Sequence, residues 1–288
     1  MRLDDRPESD QVEDERGGGG IGGRHIAGGG LGLLVIAIVI GLITGRNPLQ
    51  IFQLLTGGSD SGSASTAPAS RGAPGPGEPA GAEDSEKKFV RIVLGDTEDA
   101  WTHVFAEHGR QYQLPRLVLF DGAIGSGCGM AESAVGPFYC PLDSKVYLDL
   151  SFFRQLSQRF KAPGDFARAY VIAHEVGHHV QNQLGLMPEG RQGRAGSIAI
   201  ELQADCLAGV WGNRGNRKGL LEPGDAEAGM RAAAAVGDDA LQRMSTGHVQ
   251  PESWTHGSSA DRVASLKRGL ESGDPEACRM GGRPLFGR

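Results

Sequence analysis

The stretch AHEVGHHVQ, Ala173 to Gln181, places His174, Glu175, His178 and His179 within six residues. Histidine is only a moderate helix former, and a partly buried imidazole needs hydrogen-bond partners, so an ordinary structural helix gains little from such a cluster. Around it Phe166, Tyr170, Ala173, Gly177 and Val180 recur at helical spacing. Asp165 stands where a cap belongs, and Gly185 where a helix stops. On that helix His174 and His178 project from one face, one turn apart. Two nitrogens so placed can both reach a zinc ion at about 2 Å. Glu175 lies beside them, free to take a proton from water.

Catalytic zinc takes three protein ligands and keeps an open position. Twenty-three residues after His178, Glu201 opens the segment ELQAD, and Asp205 follows one helical turn later. These positions predict one Zn²⁺ per chain on His174, His178 and Glu201, with Asp205 accepting the hydrogen bond of a ligating imidazole. His179 is rotated off the ligand face and reads as a packing residue. Gly177 costs about 1 kcal/mol against alanine in a helix, which close approach of another element behind the metal would offset.

Outward from this core, 288 residues suffice for one sizeable domain with extensions. A formal charge of −6 and the lack of a Lys/Arg cluster interleaved with aromatics exclude a nucleic-acid binder. The uncharged run Ile26–Gly45 has, at about 1.5 Å per residue, the reach of a bilayer core. The alternative is a cleaved signal peptide, but Arg46, Asn47 and Pro48 follow with no small-x-small cleavage site. Read as an anchor, 26–45 is oriented by Arg2, Arg6, Arg16 and Arg24 before it, against Arg46 and the distant Arg71 after it. The expected topology is a single-pass membrane protein with a cytoplasmic amino terminus and an extracytoplasmic catalytic domain. Residues 1–25 read as a disordered tail, and 46–87, rich in Gly, Ser, Pro and Ala, as a flexible linker. The domain then runs over 88–288.

Within it, a short apolar run from Phe89, a turn at Asp96 or Thr97 and an amphipathic helix through Trp101, Val104 and Phe105 are expected. LPRLVLFDG reads as a strand. Phe138–Cys140 and Lys145–Leu150 read as a hairpin across Pro141–Ser144. Helices are expected around SIAIELQADCLAGVWGN, 225–244 and 258–271, giving an α+β domain. Cys128, Cys140, Cys206 and Cys278 all fall in it. In an exported domain an even count suggests two disulfides, with three possible pairings. The preferred set is Cys128–Cys140 across a short loop and Cys206–Cys278 tying down the chain end. The alternative is four free buried thiols, if the topology is reversed.

HExxH followed by a helical ExxxD resembles the zincin metallopeptidases that use a glutamate ligand. More closely, CG…GPFYCPLDSKVYLDLSFF, YVIAHEVGHHVQ, ELQADCLAGVW and HGSSADRVASLKRGLESGDPEAC are similar to the bacterial "putative neutral zinc metallopeptidase" family. The resemblance covers roughly Arg91 to the carboxyl end, plus the amino-terminal anchor. It implies a zincin-like fold and a peptidase activity on protein or peptide substrates.

The residues allow a mechanism in which Glu175 acts as general base and a further donor serves the oxyanion. His256 is the first candidate donor, with Tyr147 and Arg262 behind it. The strand Lys145–Leu150 offers an edge along which an extended peptide could add. Three function classes follow. They are a membrane-tethered metalloendopeptidase, a non-proteolytic zinc-binding envelope domain with a protein or cell-wall partner, and a purely structural zinc domain. An intact Glu175 speaks against the second, and a three-ligand site against the third.

Overall fold

The computed structural model describes residues 1–4, 6–17, 80–187, 194–279 and 284–287. These include six strands and seven α-helices. The strands are β1 (Val12–Asp14), β2 (Arg116–Leu119), β3 (Ala123–Ser126), β4 (Gly129–Glu132), β5 (Phe138–Cys140) and β6 (Lys145–Leu148). The helices are α1 (Ala80–Glu107), α2 (Ser151–Gln158), α3 (Asp165–Gln183), α4 (Arg194–Arg217), α5 (Asp225–Ala235), α6 (Asp238–Thr246) and α7 (Ser259–Ser272). The α+β expectation holds.

The main sheet has the order β1-β2-β6-β5. Its first three strands are parallel, and β5 runs antiparallel to β6. Side chains alternate as the pleat requires. Leu117, Leu119, Val146 and Leu148 join the helical core, while Val118, Phe120, Cys140 and Tyr147 form a second small core on the opposite face. The antiparallel hairpin β3–β4 is fastened to the sheet by the Cys128–Cys140 disulfide.

Three helices build the centre. α3 is buried along nearly its whole length, because Phe166, Tyr170, Val176 and Val180 face the core, His174 and Gln181 face α4, and His179 packs toward Tyr139 of β5. α4 crosses α3 closely at Gly177, where a Cβ would lie 2.9 Å from the Ala204 carbonyl oxygen. The close approach expected there is present. α4 crosses α7 more tightly still. A Cβ on Gly269 would fall 1.9 Å from the Cys206 carbonyl oxygen, and one on Gly209 would fall 2.2 Å from that of Leu266. The Cys206–Cys278 disulfide locks the chain end beside this crossing, so both preferred pairings are formed.

Several expectations are corrected. The turn at Asp96–Thr97 does not form. The Thr97 hydroxyl bonds back to the Leu94 carbonyl within the turn, Asp96 reaches Trp211, and α1 runs straight through. Because α1 begins at Ala80, the linker does not extend to residue 87. The helix expected over 225–244 divides at Gly237, whose backbone packs so closely on Ser259 that a Cβ would meet its nitrogen at 2.4 Å. Strand β6 is not an edge, being paired on both sides; among the described residues the edges are β1 and β5. Residues 1–17 of the supposed tail belong to the domain, with β1 hydrogen-bonded in its sheet. The expected anchor, 26–45, lies outside the described residues, and among those described no helix is long and apolar enough to cross a membrane.

Candidate metal centre

Helix α3 supplies His174 and His178, and α4 supplies Glu201. The contact at Gly177 brings the two helices near enough for these side chains to converge. His174 Nε2 lies 3.2 Å from Glu201 Oε2, and His178 Nε2 lies 3.5 Å from Glu201 Oε1. One ligand atom from each of the three residues falls within 4.8 Å of the others. Ligands about 2.0–2.1 Å from a tetrahedral zinc sit about 3.3 Å apart, so the donor set fits that ion.

Each imidazole is held from behind through Nδ1, leaving Nε2 for a metal. His174 Nδ1 donates to Asp205 Oδ1 at 2.8 Å, as expected. His178 Nδ1 donates to Gln181 Oε1 at 2.8 Å, while the Gln181 amide nitrogen donates to the Ile200 carbonyl and to Gln203. The role of Gln181 was missed, although its place three residues after His178 put it within reach on the helix.

Asp205 is fully buried and more heavily engaged than a lone orienting group would be. Arg262 Nε and Nη2 donate to its two oxygens, both at 2.9 Å, and the Tyr170 hydroxyl donates to Oδ1 at 2.6 Å. Tyr170, one turn before His174, is a second partner that the sequence reading left in the core. Burial raises the Asp205 carboxyl, but the Arg262 and His174 charges outweigh it and hold the pKa at about 2. Burial likewise opposes charge on His174, yet the Asp205 and Glu201 carboxylates push it up to about 10. Glu201, though penalised by burial, is held far below the carboxylate range by the two histidines. Carboxylates thus flank His174 on both sides, Asp205 at Nδ1 and Glu201 at Nε2. A dication held at the Nε2 atoms of His174 and His178 would displace the protons that this charge retains.

Glu175 is buried beside these groups, and among the described residues its carboxylate has no hydrogen-bond or ion-pair partner. His256 lies in the loop before α7. Asp238 Oδ2 gathers the backbone N–H groups of Thr255, His256 and Gly257, at 2.6–2.9 Å, and Oδ1 accepts from His256 Nδ1 at 3.2 Å. Ser197, on α4, ties the same loop through the Thr255 carbonyl. The Asp238 hydrogen bond raises the His256 pKa against burial, with Glu201 near enough to add to the effect. The ring remains half exposed.

Of the other two donor candidates, Tyr147 is not brought to the site, and Arg262 reaches it only against His174, 3.4–3.5 Å from the ring nitrogens. Tyr147 points to the far face of the sheet, stacks on Phe138 and donates to Asp143. Arg262 is buried behind His174 and spent on Asp205 and Tyr170. His179, as expected, is no ligand: it packs between Tyr112 and Tyr139 and donates to the Gln113 carbonyl.

Asp205→Asn is expected to weaken zinc binding about 10–100-fold, through loss of the charged partner of His174. It also leaves the Arg262 guanidinium buried without its counter-charge, which costs about 3 kcal/mol. Chelator competition and thermal denaturation measure the two effects. Unchanged affinity would remove Asp205 from the site, and unchanged stability would remove it from the Arg262 pair.

A protein family described as "Putative neutral zinc metallopeptidase" matches residues 1–280. The uncharacterized protein YpfJ of Escherichia coli K12 is 43% identical over 298 aligned residues, covering 99% of this chain and 100% of that one. The uncharacterized protein Rv2575 of Mycobacterium tuberculosis H37Rv is 44% identical over 210 residues, covering 66% of this chain and 70% of its own. No solved structure matches.

Proposed function

The chain belongs to the neutral zinc metallopeptidase family, and from that premise we propose that it is a zinc-dependent endopeptidase acting on protein or peptide substrates. The observation that carries this reading is Glu175, next to His174 on a buried stretch of α3, whose carboxylate bonds none of the described residues and whose oxygens are not shut away from solvent, beside three converging candidate ligand side chains. A binding module or a structural zinc site has no use for such a group.

His174, His178 and Glu201 would hold the ion. When bound, zinc supplies a Lewis acid that polarises the scissile carbonyl and acidifies water. Asp205 and Gln181 hold the imidazoles through Nδ1, so that Nε2 of each would be left for the ion. Glu175 takes the proton of the attacking water and later delivers it to the leaving amine. His256, its pKa raised and its ring oriented by Asp238, would donate to the carbonyl oxygen as negative charge develops there. The two disulfides favour work in an oxidising compartment.

The test is the purified chain with casein and a mixed peptide pool. About one zinc per chain is expected, with cleavage that is lost on chelation and restored by added zinc. A chain that holds zinc in a folded state and cuts nothing in either substrate would overturn the peptidase reading.

A further inference from the structure

The amino-terminal segment is built into the domain by backbone, charge and shape. Val12, Glu13 and Asp14 pair in parallel with Leu117, Val118 and Leu119. Leu117 N–H donates to the Gln11 carbonyl at 3.0 Å and Glu15 N–H to the Leu119 carbonyl at 2.9 Å. Further back, Ser9 N–H donates to the Arg91 carbonyl at 2.9 Å. Pro7 lies so close to α1 that a Cβ on Gly95 would come 2.7 Å from its carbonyl oxygen; only glycine fits that seat. Asp96, buried under the segment, finds its cationic partner among the described residues in Arg6. Glu13 reaches across to Arg116 at 2.6 Å and to Lys145, on β6, at 2.7 Å.

This placement conflicts with the topology that hydropathy suggests. Hydrogen-bonded strands lie about 4.8 Å apart, whereas one crossing of a bilayer separates the flanks of a segment by about 30 Å of hydrocarbon. The orientation rule also counts the wrong kind of charge here, since Arg2 and Arg6 are engaged with Glu222 and Asp96 beyond the segment, and Arg16 with Asp14 of its own strand. We propose that residues 1–17 and 80–288 of one chain occupy the same side of any membrane the protein meets, so that 26–45 does not cross it once. The amino-terminal segment is the first strand of the domain and goes where the domain goes. This inference does not depend on the peptidase reading.

The test uses the full-length chain in bacterial cells. All four native cysteines are in disulfides, so single thiols can be introduced at Asp10→Cys, with a side chain 91% exposed, and at Glu271→Cys, 67% exposed. A membrane-impermeant maleimide is expected to label both in intact cells, or both only after lysis. Labelling of one in intact cells, with the other requiring lysis, would overturn the proposal. A second variant, Glu13→Cys with Arg116→Cys, is treated with a short bis-maleimide. An internally bridged monomer is expected. A bridged dimer would place the strand of a second copy in the sheet, and reactive thiols that fail to bridge would mean that the strand is undocked. Either result overturns the proposal.

Discussion

Glu175→Gln should keep about one zinc per chain and a wild-type melting temperature, while peptide hydrolysis falls by about 10³-fold. The asymmetry follows from what the side chain touches. The three candidate ligands are His174, His178 and Glu201, and Glu175 bonds none of them and no other described residue. Glutamine preserves its size and removes only its basicity, so neither packing nor the ion is disturbed. What would be lost, on the proposed reading, is the proton acceptor for the attacking water, and general base catalysis of this kind contributes about 10²–10⁴-fold. Zinc content by elemental analysis, a melting curve and initial rates on a cleaved peptide measure the three quantities. A mutant that loses zinc would make Glu175 a ligand, and one that turns over normally would leave the base elsewhere.

Gly269→Ala is expected to be the most damaging small substitution in the described fold. Its Cβ would fall 1.9 Å from the Cys206 carbonyl oxygen and 2.7 Å from the Val210 nitrogen, both of them backbone atoms of α4. No rotamer change relieves a backbone clash, so α7 and α4 must move apart. The move would pull Arg262 away from Asp205, whose two oxygens it holds at 2.9 Å, and would strain the Cys206–Cys278 link. Overpacking costs about 1–3 kcal/mol in cores that can adjust, and this site lies at or above the top of that range. For a domain of this size, 3 kcal/mol corresponds to a loss of about 6–12 °C in Tm. Because the shift would act through Asp205, zinc affinity should fall as well. A Tm within about 2 °C of wild type would show that the helices accommodate the methyl group.

The candidate metal ligands were legible because helical periodicity is local. The spacing of His174 and His178 fixes them on one face whatever surrounds α3, and ELQAD places Glu201 and Asp205 on one side of their own helix. The glycine at 177, costly in isolation, signalled a close crossing before any partner was known. The extent of the helices was less legible. Asp96 and Thr97 carry turn propensity, yet α1 passes through them because Trp211 and Arg6, distant in sequence, take up the carboxylate. Gly237, which breaks the helix expected over 225–244, does so for the sake of Ser259, twenty-two positions away.

By itself, then, the sequence determined the α+β class and the candidate ligand set His174, His178 and Glu201 with Asp205 behind one imidazole, and it preferred one disulfide set among three. Each follows from spacing along one element or from the few pairings that four cysteines allow. Only the tertiary structure decided which donors face the ligands. It turned Tyr147 to the far side of the sheet, buried Arg262 behind His174 and held His256 over α4 through Asp238. It also made a strand of the amino terminus. Three residues, Val12 to Asp14, carry too little local preference to form a strand alone, and acquire one from the open edge of β2 and the charges waiting on α1 and β6. Hydrogen bonds and ion pairs between residues a hundred positions apart leave no period in the sequence, so only the folded chain reveals them.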